Sequence, residues 1–175
     1  MRMSRLVTLS VIYNFRDYLH ARGFTTDESL SASGFPYIHV QSKDQAYTTL
    51  TVPSIVIYPS SLFDSELQIG GGFWMKMMFN MDIYASSDAQ VLEMSDMLME
   101  FIESPSYLFR YDLSTPSYQV SDGLVRPTYS NGSPVPVSQM YFENRTVVYF
   151  DRVTPIGEKK AHTAQVTAVV SVPTT

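Results

Sequence analysis

The sequence predicts an α+β fold, a two-layer sandwich in which two main helices pack on one face of a mostly antiparallel sheet, with long loops or β-arms. Three observations predict it. Apolar residues recur at helical spacing in two segments, residues 73–85 alternate with the period of a strand, and the last third is rich in β-branched residues. The resulting order of helix, strands, helix and strands is typical of helices gathered on one side of a sheet.

The first element is a helix predicted over residues 4–22. Its apolar positions fall on one side, and they are Val7, Val11, Ile12, Phe15, Tyr18 and Leu19. Gly23 is the kind of residue that ends a helix. Residues 23–49 predict a long irregular connection with a short strand at 37–40. Residues 49–58 are β-rich, but Pro53 interrupts them and Pro59 ends them, which indicates an edge strand or a bulge.

The strongest strand pattern runs from Phe73 to Ala85, where the odd-numbered positions are apolar. Thirteen residues would reach about 43 Å, so part of this strand is predicted to project beyond its own domain. Its even face carries polar residues but also Trp74, Met78 and Tyr84. Because tryptophan and tyrosine are favoured at the centres of interfaces, these three are the candidate contacts with another subunit or partner.

A second helix is predicted to begin at Ser87, which forms a capping box with Gln90, and to end near Glu103, before Pro105. A broad apolar arc is expected to lie on the sheet, and it consists of Val91, Leu92, Met94, Leu98, Met99, Phe101 and Ile102. Four acids form a narrow stripe that is expected to face water, namely Glu93, Asp96, Glu100 and Glu103.

The remaining segments complete the sheet. Residues 107–113 predict a strand, and residues 113–140, with four prolines and the turn signal Asn131-Gly132, predict an irregular loop or β-arm. Residues 145–154 and 161–172 predict an antiparallel hairpin with its turn at 155–158. Residues 1–175 are therefore interpreted as a single domain.

Composition and motifs narrow the function classes. The absence of cysteine excludes disulfides, thiolate metal sites and cysteine nucleophiles. The net charge of −5 does not favour binding to nucleic acid or to an anionic membrane. His20, His39 and His162 lack metal-ligand spacing, and Gly70-Gly71-Gly72 precedes a strand rather than the helix of a phosphate loop. We therefore predict no catalytic, cofactor or metal site, and no enzyme activity.

Residues 79–98, FNMDIYASSDAQVLEMSDML, resemble the middle of the tail terminator and tail-completion proteins of long-tailed bacteriophages. In that family a long strand with an Asp-hydrophobic-Tyr-Ala ending turns into a helix begun by small polar residues. The N-terminal helix, the strand-helix unit and the closing hairpin fit this layout over most of the chain, whereas residues 113–140 match no part of it.

The resemblance implies a virion protein of the tail or neck, assembled in the host cytoplasm, that forms a ring of six copies and catalyses nothing. Such a ring caps the tail tube and joins it to the head-side connector or stopper, while double-stranded DNA passes through its lumen without specific binding. It implies no cofactor and no membrane partner. The excess of acids between residues 50 and 112, nine against two bases, would suit a lumen that repels phosphate.

Three alternatives stay open. The first is another connector, stopper or neck protein of the same head-to-tail region. The second is a small hydrolase that uses the carboxylates of the second helix in a cleft. The third is a small-molecule binding module, which a deep apolar pocket would support.

Overall fold

The computed structural model describes residues 3–26, 36–42, 52–67, 73–111, 127–156 and 159–174. The helices are α1 (Met3–Ala21) and α2 (Asp88–Glu103). The strands are β1 (His39–Ser42), β2 (Ser54–Leu67), β3 (Phe73–Ala85), β4 (Ser106–Phe109), β5 (Tyr129–Ser130), β6 (Ser133–Pro134), β7 (Pro136–Ile156) and β8 (Lys159–Thr174).

These elements confirm the predicted α+β class. Six strands form the main sheet in the order β1-β2-β3-β8-β7-β4, and β5 pairs with β6 separately. Only β1 and β2 are parallel among the described strand pairs; every other strand pair is antiparallel. Both helices share one hydrophobic core with the sheet.

The inner face of the sheet, which is the face that carries the helices, holds the odd-numbered residues of β3 as predicted. Met77, Phe79, Met81, Ile83 and Ala85 are at most 1% exposed. Alternate residues of β8 lie beside them, from Ala164 to Val172. Packing in this layer is the main source of stability, because apolar burial contributes about 25 cal/mol per Å².

Aromatic rings join the two helices to the sheet. The Phe101 ring of α2 lies 5.0 Å from Phe15 of α1 and 5.4 Å from Phe142 of β7, measured between ring centroids. The predicted helix termini are also confirmed. Gly23 has a φ of +82°, which few residues other than glycine adopt, and the Ser87 hydroxyl accepts a hydrogen bond from the Gln90 N–H at 3.3 Å.

Helix α1 bonds to both edge strands of the main sheet. The Arg16 guanidinium donates to the Val40 carbonyl of β1 at 2.6 Å. On the other edge, the Asn14 side chain donates to the Tyr107 carbonyl of β4 at 2.8 Å and accepts from the Tyr107 N–H at 3.1 Å. The Ser10 hydroxyl accepts from the Phe109 N–H at 3.0 Å. The sheet therefore curls until both edges meet one helix, whose side chains satisfy backbone groups that another chain would otherwise pair with.

Asn14→Leu is expected to lower the free energy of unfolding by about 1–3 kcal/mol, because it leaves both backbone groups of Tyr107 without the side chain that now pairs with them. Urea denaturation measures this loss. Asn14→Asp is the companion variant: it keeps the acceptor but sets a carboxylate oxygen against the carbonyls of Ser10 and Tyr107, so its loss should be at least as large. If the Asn14→Leu protein is as stable as the wild type, the two hydrogen bonds to Tyr107 do not stabilise this edge of the sheet.

Several predicted boundaries were wrong. The first strand lies at 39–42 rather than 37–40, and β2 continues through Pro59 to Leu67; it is an interior strand only at 54–57, where both β1 and β3 pair with it. A register shift after Pro59 confirms the predicted bulge. Proline is tolerated there because β1 pairs only with 54–57, so the missing N–H of Pro59 removes no bond to that strand.

The predicted irregular segment 113–140 is partly regular. Asn131 and Gly132, with φ of 52° and 79°, form the turn between β5 and β6, as their sequence signal indicated. Strand β7 then begins at Pro136 and not near Arg145, because β4 pairs with its first residues. Residues 112–126 lie outside the described part. The strand predicted at 107–113 is confirmed only as β4, which ends at Phe109.

The predicted C-terminal hairpin is confirmed, with longer strands. β7 and β8 pair from Tyr141 opposite Ser171 to Ile156 opposite Lys159. Along β8, His162 is the first residue that lies opposite β3. The hairpin therefore extends past the end of β3.

Candidate assembly surface

The outer face of the sheet, opposite the helices, carries the even-numbered residues of β3. Trp74, Met78 and Tyr84 all lie on it and are all partly buried. The register places Trp74 opposite Pro173, Met78 opposite Val169 and Tyr84 opposite Thr163. The sequence-predicted contact residues thus share one face, with Trp74 and Tyr84 near opposite ends of a 13-residue strand.

An aromatic pair marks one end of this face. The rings of Trp74 and Tyr141 lie 5.6 Å apart, edge to face, and Tyr141 is 43% exposed. Such pairs contribute about 0.5–1.5 kcal/mol beyond the area they bury. Tyr141 was not predicted as a surface residue because it lies just after the segment interpreted as a loop, and the run Met140-Tyr141-Phe142 shows no alternation that would place it on one face.

Cross-strand hydrogen bonds fill the rest of the outer face. The Asp82 carboxylate accepts from the Tyr58 hydroxyl at 3.0 Å and from the Gln165 amide at 2.7 Å. The Lys76 ammonium lies 3.4 Å from the Glu143 carboxylate, which also accepts from the Ser171 hydroxyl at 2.9 Å. The charged groups of Lys76, Asp82 and Glu143 therefore already have protein partners.

The acids of the predicted stripe lie on α2, on the other side of the sheet from Asp82. Glu93, Asp96, Glu100 and Glu103 are exposed, as expected. Asp82 and these four residues therefore do not converge on one cleft. Glu103 alone of the four lines a described cleft, which Glu143 also lines, and there Arg145 already pairs with Glu103, so the described geometry gives the hydrolase alternative little support.

The predicted apolar arc of α2 was wrong at one residue. Leu92 is 52% exposed, whereas Met97, which was left out of the arc, is buried. At 100° per residue, Leu92 lies about 140° from the centre of the buried side of the helix. An exposed leucine of this kind is common and needs no functional explanation.

Glu100 links the two helices. Its carboxylate accepts from the Tyr18 hydroxyl at 2.8 Å and pairs with the Arg22 guanidinium at 3.0 Å, and Arg22 lies over the Tyr18 ring. The Tyr18 hydrogen bond and then Arg22 hold the pKa of Glu100 below its ordinary value of 4.5. Burial and this hydrogen bond raise the pKa of Tyr18 to about 12. Glu103, one turn further along α2, forms an ion pair with Arg145 of β7.

Glu100→Gln is expected to lower stability at pH 7, and the difference from the wild type should vanish in acid. A carboxyl whose folded-state pKa is depressed stabilises the fold above its unfolded pKa, and that stabilisation is lost as pH falls through the folded value. The difference should therefore be full above about pH 5 and shrink below pH 4.5. Denaturant midpoints at pH 7, 4.5 and 3 measure it. A constant difference across this range would assign the effect to packing instead.

The histidines show no shared site among the described side chains. His20 bonds to the Thr26 hydroxyl at 3.1 Å, and His39 to the Tyr37 hydroxyl. No group of three His, Asp or Glu side chains within the described ranges is arranged to hold a metal ion. The His162 side chain lies outside the described part.

A cleft of about 420 Å³ lies between the end of α2 and β7. Its lining includes apolar Ile102 and Met140 but also the Glu103–Arg145 ion pair and Glu143. Small-molecule sites are lined mainly by apolar side chains with a few polar groups. The mixed lining of this cleft therefore gives little support to a small-molecule binding module.

No protein-family model matches the chain, and no curated protein matches it. No helix in the part of the chain that the structure describes is long and apolar enough to cross a membrane. The geometry of the outer face and the resemblance in residues 79–98 are therefore the grounds on which a function can be proposed.

Proposed function

We propose that this chain is a structural protein of the virion of a long-tailed bacteriophage, a tail terminator. Six copies form a ring that caps the tail tube and joins it to the head-side connector or stopper. The observation that supports assembly most directly is the outer face of the sheet, where Trp74, Met78, Tyr84 and Tyr141 lie between charges that already have partners.

Pairing of the charges is what makes this face suited to burial in an interface. Removing water from a charged group that has no partner costs several kcal/mol. The cost is smaller for a charged group that keeps its partner. Lys76, Asp82 and Glu143 keep their intramolecular partners when a second surface covers them. The remaining aromatic and aliphatic area then favours association.

The arrangement of the elements also supports the resemblance. Helix α1, the β3–α2 unit with its cap at Ser87, and the β7–β8 hairpin occur in the order of the tail terminator layout. The net charge of −5 suits a ring through which double-stranded DNA slides without specific binding, because it repels phosphate. The partners under this proposal are further copies of the chain, the tail tube protein and the connector or stopper.

Light scattering at micromolar concentration, alone and with isolated tail tubes, tests the proposal. We expect rings in solution or rings that form on tube ends, both visible by electron microscopy. Capping of tube ends supports a terminator, whereas binding to tail-free heads alone supports a connector or stopper of the same region. A strictly monomeric protein that binds neither tubes nor heads would overturn the assembly role.

A further inference from the structure

We propose that neighbouring copies join through the edges of their sheets: the part of β7 beyond Met140 in one copy pairs antiparallel with the part of β2 beyond Pro59 in the next. The inference rests on the proposed ring and names the contact that builds it. It differs from the outer-face contact at Trp74, which would remain available to the tail tube or connector.

Both segments are edges within the described sheet. β4 pairs with β7 only at 136–140, and β1 pairs with β2 only at 54–57. Beyond these points, among the described strands, β7 pairs only with β8 and β2 pairs only with β3. The two edge strands β1 and β4, in contrast, are bonded by side chains of α1.

The part of β7 beyond Met140 contains a segment with the composition of a strand that pairs with another strand. Between the register shifts at 143/146 and 150/154 it keeps a regular run, Thr146–Phe150. Val148, opposite Gln165, is 45% exposed, and Tyr149, opposite Ala164, is 49% exposed, so the run presents apolar surface on both faces. The run 146–150 itself carries no charged residue and no proline. Edges that stay unpaired usually carry charges, prolines or bulges, and an exposed apolar run without them tends to pair.

The sheet topology decides which edge of the neighbour fits. Three successive antiparallel pairings separate β2 from β7, so these strands run in opposite directions. A second copy placed beside the first in the same orientation therefore presents β2 antiparallel to β7. Because the two edges differ, the contact is heterologous and repeats from copy to copy, which is the requirement for a ring. Pairing of β7 with β7 would end at a dimer.

The two edge segments are offset along the strands. The part of β2 beyond Pro59 lies beside the Phe73 end of β3, and the run 146–150 lies level with the Ala85 end, so neighbours are staggered along the strands. A closed ring of strands accommodates such a stagger by tilting them.

Disulfide cross-linking tests the proposal directly, because the chain contains no cysteine. Val148→Cys is combined with a single cysteine at each position from 60 to 66 in turn, a scan that covers both faces and every register. After oxidation on tail tubes, at least one double variant should give a ladder of linked species up to six copies on a non-reducing gel. Val148→Cys alone should stay monomeric; a linked dimer from this variant would indicate β7–β7 pairing and overturn the proposal.

An edge-blocking substitution gives a second measurement. Val148→Lys should weaken association at least tenfold and leave the melting transition unchanged, because residue 148 is exposed. Val137→Lys is the matched control: residue 137 is 58% exposed on the same strand, at the register shift within the stretch 136–140 that β4 covers, so association should persist. If wild-type rings form but neither cross-links nor the effect of Val148→Lys appear, the edge contact is wrong and the ring stands. If no ring forms at all, both the edge contact and the proposed function are wrong.

Discussion

Met81→Glu is expected to abolish the cooperative unfolding transition of the protein. Met81 is fully buried in the middle of the inner face, opposite Ile57 on one side and Val166 on the other, which are also fully buried. A carboxylate at this position has no polar partner from these neighbours, and burying an unpaired charge costs several kcal/mol. Since a domain of this size has only about 5–15 kcal/mol of stability, the substitution removes much of it.

Thermal denaturation followed by circular dichroism measures this effect. The matched control is Met81→Leu, which conserves volume and apolar character and should cost less than about 1.5 kcal/mol. A sharp melt for Met81→Glu close to that of the wild type would show that the odd-numbered face of β3 is not the core face.

The parts of the fold that could be predicted are those with local signals. The alternation over β3 and the Ser87 cap of α2 each lie within a few residues of the structure they specify, and both were predicted at their observed bounds. The turn at Asn131-Gly132 is equally local, since its positive φ values require those residue types.

The parts that could not be predicted depend on contacts between distant residues. Asn14 bonds to Tyr107, which is 93 positions away, and no pattern near either residue indicates that a helix side chain protects an edge strand. The passage of β2 through Pro59 depends on where the short parallel strand β1 ends. Helix periodicity also assigned Leu92 to the core, although its exposure is decided by how α2 is rotated on the sheet.

The candidate surface could be predicted only on β3. Alternation placed Trp74, Met78 and Tyr84 on one face, because the period of a strand is a local property. Their neighbours come from β2, β7 and β8 through pairing, so the Trp74–Tyr141 contact and the bonds that hold Asp82 and Lys76 required the structure.

Trp74→Glu is expected to leave the protein folded and to abolish its assembly on the tail tube. In the single chain Trp74 is partly buried on the outer face, so the substitution lowers the melting temperature: it loses part of the buried area of the ring and its edge-to-face pair with Tyr141, and the pair is worth about 0.5–1.5 kcal/mol beyond that area. In an interface the same change buries a new charge and removes a large aromatic anchor. Truncations of such anchors commonly cost 2 kcal/mol or more, which weakens association at least about 30-fold. Met78→Glu should behave in the same way.

Circular dichroism reports the fold of the Trp74→Glu protein, and sedimentation with tail-tube capping reports its assembly. The matched control is Leu92→Glu, which introduces the same charge at an exposed apolar residue on the helix side of the molecule and should assemble normally. If Leu92→Glu abolishes assembly and Trp74→Glu does not, the contact surface lies on the helices. If Trp74→Glu unfolds the single chain while Met81→Glu is harmless, the two faces of β3 are exchanged and the outer-face assignment fails with them, because both rest on the same alternation.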